Sequence, residues 1–430
     1  MRVFPWKGCV LLLLLTGFVR AQDSALTFEQ ITELALQAHP IERAQRASVR
    51  ATEALIQQAG VRPNPTLQLQ TQTDGFERAS QLGLSISQRL ELGGKKAARI
   101  KAAEAEHTAN QIQTEVRMAL FRYELRESFY RLLLAQESEG LALQSLAITG
   151  RHLDIAQIRF EAGDLSGAEL ATLQVERDRK RAQVELSKGA TAKARAELSR
   201  FVPVSFLKRG VRGRLGSLSD LPPVDDLNSE GSLALRLARA NLNSKETQVY
   251  LERSLGVSDI TLQAGAFVQR TVFPGSSYVP SGVVGGLDDT GPLLQFQIQI
   301  PLPINDDNSG SIAAAQARQE QAKAELEALE MEVSAHLEGL YSTLQGQREA
   351  RLLLEKQAEP AAFKSLQSVE EAYKLGFRSQ LDLLLAKQTY LETREAILEA
   401  AFDESLTAAQ LERVLGHPLK EMQNEDFETL

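Results

Sequence analysis

The sequence predicts a mainly α protein with a small β part, in which long antiparallel coiled-coil helices form an α-barrel. Four strands per chain join those of two further copies in a trimeric, twelve-stranded transmembrane β-barrel. Three observations predict this: an internal duplication, four uncharged segments that alternate apolar and polar residues, and very long helices almost free of proline.

The duplication has an offset of about 212 residues. Gln88-Arg89-Leu90 leading to Arg99-Ile100-Lys101-Ala102-Ala103 lies over Ile300-Pro301-Leu302 leading to Ser311-Ile312-Ala313-Ala314-Ala315. Phe160-Glu161-Ala162-Gly163-Asp164-Leu165-Ser166 lies over Tyr373-Lys374-Leu375-Gly376-Phe377-Arg378-Ser379, and Leu198-Ser199-Arg200-Phe201 over Leu411-Glu412-Arg413-Val414. Each half therefore reads as a helix, two short strands, a very long helix, a glycine break and a helix running back. The chain divides into 1–21, a leader; 22–201, the first repeat; 202–231, an equatorial linker; 232–416, the second repeat; and 417–430, a tail.

In chain order, Arg2 and Lys7 precede an apolar run over 10–15, and Val19-Arg20-Ala21 closes it with small residues, the layout of a secretory signal peptide. The processed chain is expected to begin near Gln22, and to lack cysteine, because the single Cys9 falls within the leader. A helix is expected over 28–60, stopped by Pro63-Asn64-Pro65. In the first pair of strands Leu67 and Leu69 alternate with Gln68, Gln70 and Gln72, and Leu82, Leu84 and Ile86 with Gly83, Ser85 and Ser87. In the second pair Leu262, Ala264, Ala266 and Val268 alternate with Gln263, Gly265, Phe267 and Gln269, and Leu294, Phe296, Ile298 and Ile300 with Gln295, Gln297 and Gln299.

A soluble sheet would carry Lys and Glu on its wet face; these segments use Gln and Ser, which suits one face in lipid and the other toward a watery lumen. The expected lumen-facing residues are Gln68, Gln70, Gln72, Ser85, Ser87, Gln295, Gln297 and Gln299. The loops expected between the strands are short at 74–79 and long at 272–291, both extracellular. Four strands cannot close a membrane barrel, so the rest must come from other copies, and a homotrimer supplies twelve.

Helices follow over 94–162 and 311–375, each roughly 100 Å long at about 1.5 Å per residue, with Pro360 the one proline among them. Leu326, Leu329, Val333, Leu337, Leu340 and Leu344 form a coiled-coil seam, and Leu381, Leu384, Leu391 and Leu398 keep the rhythm on the last helix. Pro222-Pro223 and several glycines break the pattern between the repeats.

A net charge of −8 without a basic stripe argues against nucleic acid as a partner. His39, His107, His152, His336 and His417 are scattered, without the spacing of a helical metal site, and no nucleophile, phosphate loop or paired-carboxylate motif stands out. No catalytic residue, cofactor or metal ligand is expected. A periplasmic coiled-coil structural or adaptor protein would explain the leader and the helices. It would leave the four paired, uncharged strands without an explanation.

Several stretches together resemble the TolC family of outer-membrane efflux factors: Arg62-Pro63-Asn64-Pro65, Leu90-Glu91-Leu92-Gly93-Gly94-Lys95-Lys96 with Arg99, the breaks Ala162-Gly163-Asp164-Leu165 and Leu375-Gly376-Phe377-Arg378, and Leu411-Glu412-Arg413-Val414-Leu415-Gly416. Gly93-Gly94-Lys95-Lys96 with Arg99 is most similar to the branch that partners heavy-metal pumps of the cobalt-zinc-cadmium and copper-silver type. The resemblance implies a passive exit duct in outer-membrane lipid, reaching into the periplasm and fed by a periplasmic adaptor and an inner-membrane pump of the resistance-nodulation-division type.

Gly163 and Gly376 stand where each long helix must turn into its returning partner, and are expected at positive φ. The resemblance makes these turns adaptor-docking tips, with Leu165 and Phe377 as exposed apolar contacts, and places Asp382 at a pore constriction. Arg378 is expected to restrain that constriction by pairing with Glu169 of the neighbouring hairpin.

Overall fold

The computed structural model of the chain describes residues 25–73, 79–216, 231–273, 277–279, 282–284, 287–416 and 419. Residues 1–24, which include the expected leader, residues 74–78 of the short loop, parts of the long one, residues 217–230 of the expected linker and the expected tail apart from Leu419 lie outside the described residues.

The helix expected over 28–60 is two helices, α1 (Phe28–Ala38) and α2 (Ile41–Ala59). Pro40 is the reason. It forces His39 out of the helical region, to φ −83° and ψ 136°. Thr27 opens α1 with a reciprocal capping box to Gln30, and the backbone N–H of Ile41 at the start of α2 donates to Nδ1 of His39 at 3.2 Å.

The strands β1 (Thr66–Thr73), β2 (Ala79–Leu90) and β3 (Ile260–Phe273) follow in the chain with α3 (Lys95–Glu161), α4 (Gly167–Leu198), α5 (Val204–Leu207) and α6 (Leu233–Leu255) between β2 and β3. After β3 come β4 (Ser277–Val279), β5 (Gly282–Val284) and β6 (Leu287–Gln299). Thus the long loop expected over 272–291 is shorter than read: β3 and β6 extend into it, and β4 and β5 pair as a small hairpin.

The long helix of the second repeat is not uniform either. It comprises α7 (Ser309–Leu353), a π turn at Leu354–Ala358 and α8 (Glu359–Lys374), with α9 (Gln380–Leu415) returning. Pro360 accounts for the interruption, because its ring and missing N–H oppose the α-helical bonding of the turn before it; the N–H of Glu359 reaches back five residues to the carbonyl of Leu354 instead.

Two compact units result, and each repeat contributes to both. The first comprises residues 1–43, 117–232 and 333–430, the second residues 44–116 and 233–332.

The core of the first unit is built from Ile31 and Ala35 of α1, Phe121, Leu125, Phe129, Leu132 and Leu133 of α3, Leu198 of α4, and Ala401 and Ala409 of α9. Val202, Leu207, Val211 and Leu215 complete it, so residues 202–216, read as linker from their prolines and glycines, are packed structure. Inside the same unit Arg351 and Glu404 form a buried ion pair, extended by Glu355 at 2.8 Å from Arg351. Gly216, at φ 69°, lies flat against the Arg351 side chain, where a Cβ would come within 2.6 Å of Nε; its N–H donates to Ser405 Oγ at 2.7 Å.

The second unit holds the sheet, in the order β1-β2-β3-β6 with every neighbouring pair antiparallel. Its junction with the helices explains the Glu91 to Arg99 stretch locally. The guanidinium of Arg99 grips both carboxylate oxygens of Glu91 and also donates to the carbonyls of Ala59 and Val61, tying β2 to the end of α2. Lys95 donates to Asp259 at 2.6 Å, and the N–H of Leu92 to the same oxygen, tying the start of α3 to the start of β3. Gly93 must be glycine on two counts: φ is 67°, and a Cβ would stand 2.6 Å from that of Val257.

Candidate functional site

In the first unit, the two glycine breaks are the same device built twice. Helix α3 ends with the N–H of Gly163 donating to the carbonyl of Phe160 and that of Asp164 to Arg159; α8 ends with Gly376 donating to Tyr373 and Phe377 to Ala372. These paired bonds are the Schellman closure, which needs a left-handed residue, and Gly163 and Gly376 supply it at φ 84° and 81°. Apart from the glycine and its two chain neighbours, no atom lies within 4 Å of where either Cβ would be.

Three residues after each glycine a serine caps the returning helix, Ser166 for α4 and Ser379 for α9. Oγ of Ser166 accepts from the N–H of Glu169, whose carboxylate accepts from the N–H and hydroxyl of Ser166 at 2.9 and 2.7 Å. Asp382 and Ser379 repeat this at 3.0 and 2.9 Å. Glu169 is solvent-exposed and Asp382 partly so, and both are held below their usual pKa, Glu169 first by the Ser166 hydroxyl and Asp382 first by the Ser379 N–H. They therefore stay charged at neutral pH. The sequence identified the two acids but not this capping role.

The two turns lie side by side, with the Gln380 side-chain amide donating to the Glu169 carbonyl at 3.3 Å. Among the described residues no ion pair joins Arg378 to Glu169 within the chain.

The turns differ in what they expose. Phe377 is 81 % exposed and Leu381 74 %, with Leu375 and Leu385 also in solvent. Leu165, expected as an exposed contact, is half-buried against the cluster of Ala156, Leu170 and Leu173, because the bend after Gly163 swings it back between the helices.

The buried stripe of α9 also departs from the expected leucines. It runs through Leu383, Lys387, Leu391, Ile397 and Ala401, while Leu381 faces out. Lys387 is consequently enclosed, 3 % exposed, and its amine donates to Thr149 Oγ1 of α3. His152, one turn along α3, is 4 % exposed. Burial, and then the charge of Lys387, lowers its pKa to about 4. The sequence did show a break in the leucine rhythm on this helix, but at Gln388 and Glu395. A lysine one position from a leucine stripe carries no signal of burial until the helix phase is known.

In the second unit, the strand register puts the polar residues on one face. Gln68 pairs with Ser85, Ser85 with Gly265 and Gly265 with Gln295; Ser87 pairs with Gln263 and Gln263 with Gln297; Thr261 pairs with Gln299. Gln70 and Gln72 follow on that face by the strand period of two. The other face is apolar across all four strands, as in the rows Leu67, Ile86, Ala264, Phe296 and Leu69, Leu84, Ala266, Leu294. Within this chain most of that face is uncovered, Phe296 being 81 % exposed. Strands β1 and β6 have one neighbour each, so both outer edges are open.

Among the described side chains, one aromatic sits on the polar face. Phe267 is 3 % exposed because its ring lies over Gly83, its cross-strand partner, and over Gly265.

Among the described residues no helix is long and apolar enough to cross a membrane, and no group of three or more His, Cys, Asp or Glu could hold a metal ion.

Comparison with known proteins places this architecture. The chain is 28 % identical over 273 residues to the nickel-cobalt-cadmium resistance protein NccC of Alcaligenes xylosoxydans xylosoxydans, covering 62 % of each. It is 30 % identical over 255 residues to the cobalt-zinc-cadmium resistance protein CzcC of Cupriavidus metallidurans, covering 58 % of this chain and 60 % of that one. These alignments span about three fifths of the relatives' length.

Among solved structures, the outer membrane protein VceC of Vibrio cholerae superposes with a TM-score of 0.71 at 16 % identity, over 91 % of this chain and 97 % of that one. CusC, a transmembrane channel, superposes with a TM-score of 0.70 at 16 % identity, over 91 % and 92 %. The fold is thus that of outer-membrane channels, and since residues 31–202 and 227–417 match its pattern, the chain belongs to the outer membrane efflux protein family.

Proposed function

We propose that three copies of the chain form a passive exit duct in the outer membrane, receiving substrate from a periplasmic adaptor and an inner-membrane pump of the resistance-nodulation-division type. The observation that carries this reading is the sheet: apolar on one face, Gln and Ser on the other, and open at β1 and β6. Open edges are untenable in hydrocarbon, where every backbone N–H and C=O needs a partner. Pairing β6 of one copy with β1 of the next closes the ring. The apolar face then meets lipid, and Gln68, Gln70, Gln72, Ser85, Ser87, Gln295, Gln297 and Gln299 line water.

The turns at Gly163 and Gly376 serve as docking tips, Phe377 being their principal apolar contact. Asp382 contributes a carboxylate to a constriction that Arg378 restrains through Glu169 of an adjacent hairpin. Heavy-metal cations are the substrates this reading favours, because the resistance proteins it resembles are named for nickel, cobalt, zinc and cadmium. The chain itself performs no catalysis and holds no cofactor.

The test is expression in a strain lacking its own duct. Cross-linking in detergent should give trimers, and Gly376→Val should still trimerise, since no atom beyond its two chain neighbours lies within 4 Å of that Cβ. It should nevertheless lose export, because a β-branched residue at φ 81° strains the turn by about 1–2 kcal/mol. A stable inserted monomer would defeat the duct reading, and full resistance with Gly376→Val would defeat tip docking.

A further inference from the structure

We propose that Lys387 is a proton-responsive joint between α9 and α3: its ammonium loosens their packing and its neutral amine tightens it. The geometry places a cation where little compensates it. Lys387 is flanked along α9 by buried Leu383 and Leu391, and faces a stripe of α3 formed by Ser145, Thr149, His152 and Ala156, each no more than 5 % exposed. Thr149 accepts its one hydrogen bond, and the Ser145 hydroxyl nearby is buried without a partner.

The charged groups facing this site are Arg151 of α3, Glu176 and Lys180 of α4, and Glu370 and Lys374 of α8. Both carboxylates are already engaged by the lysine of their own helix, Glu176 with Lys180 at 3.6 Å and Glu370 with Lys374 at 3.1 Å. Lys387 forms no ion pair among the described residues. An ammonium so enclosed has lost its water without gaining a counter-charge.

Burial first, and then repulsion by Lys180, lowers the amine's pKa from 10.5 to about 8. The packed helices consequently bind fewer protons than separated ones between those values, and packing strengthens as pH rises through that window. Below about 8 both forms are protonated and the packing is at its weakest. His152, at about 4 when packed and 6.5 once released, adds at most about a factor of two at the lower end of the range and cannot supply the larger response. Any effect on conduction rests on the reading of the adjoining turns as docking tips; the joint itself does not.

Hydrogen exchange of the full chain in detergent, corrected for the intrinsic pH dependence of amide exchange, reads the joint directly in peptides covering 145–156 and 380–391. The opening equilibrium there should fall about tenfold between about pH 6.5 and about pH 9. Lys387→Met should reduce the difference to about twofold or less, and His152→Gln should keep most of it. An unchanged wild type, or a tenfold change that persists in Lys387→Met, overturns the proposal. Should Lys387→Met not fold, competitive acetylation of the wild type decides: a Lys387 midpoint near 8 upholds the proposal and one near 10.5 overturns it. Each readout is local to α3 and α9, so failure here is distinguishable from failure of the duct.

Discussion

Gly83→Ala should destabilise the sheet by an amount that depends on whether Phe267 is present. The added Cβ would stand 2.0 Å from Cδ1 and 2.5 Å from Cγ of the Phe267 ring, and 2.8 Å from the carbonyl oxygen of Ala266. The ring cannot remain, and expelling a buried phenylalanine into water costs about 2 kcal/mol. Relieving the contact with the carbonyl costs about 1 kcal/mol more, so the single substitution should total about 3 kcal/mol. With Phe267→Ala already in place only the carbonyl contact is left, and the same change should cost about 1 kcal/mol, a coupling of about 2 kcal/mol between the two sites.

Urea titration of the four proteins in detergent micelles would measure this. Circular dichroism is the suitable signal, because the single tryptophan, Trp6, falls within the stretch expected to be a leader. Equal costs of Gly83→Ala in both backgrounds would show that the ring does not rest on Gly83. The reasoning from the glycine recess would then fail.

Glu404→Ala should cost about 3 kcal/mol by leaving the buried Arg351 guanidinium with Glu355 alone, while Arg351→Met with Glu404→Leu should recover most of the loss; thermal melts of the three proteins check it, and a double variant no better than the single one would contradict it. Asp382→Asn should lower cation selectivity in planar bilayers, and Arg378→Ser should raise single-channel conductance; if neither property moves, the constriction lies elsewhere. Because Ser379 holds the Asp382 pKa below 3.8, the selectivity it confers should persist at neutral pH and disappear only as pH falls through that lowered value. A loss already complete near pH 6 would assign it to another group.

Much of this was legible in the residues themselves. A period of two with Gln and Ser opposite Leu and Ile announces a two-faced strand, because the pleat sends alternate side chains to opposite faces whatever the neighbours are. Gly163 and Gly376 were legible for a similar reason: a left-handed helix end is a property of the local backbone, and so of the local sequence. The same locality makes Pro40 and Pro360 instructive. Each visibly opposes a helix, yet Pro40 breaks one while Pro360 is absorbed in a π turn, and the residues beside them do not say which.

The sequence by itself determined the duplicated plan, the strands and their faces, and the two turns, all set by periodicity or by a single residue's backbone preference. Tertiary structure alone decided which stripe of α9 is buried and thus that Lys387 is enclosed, and that Asp259 receives Lys95 and Arg351 meets Glu404. It also decided that Phe267 lies over two glycines instead of projecting from the polar face. These are contacts between residues far apart in the chain. Which partner a side chain meets depends on helix phase and strand register, and those are set by the packing of the whole unit.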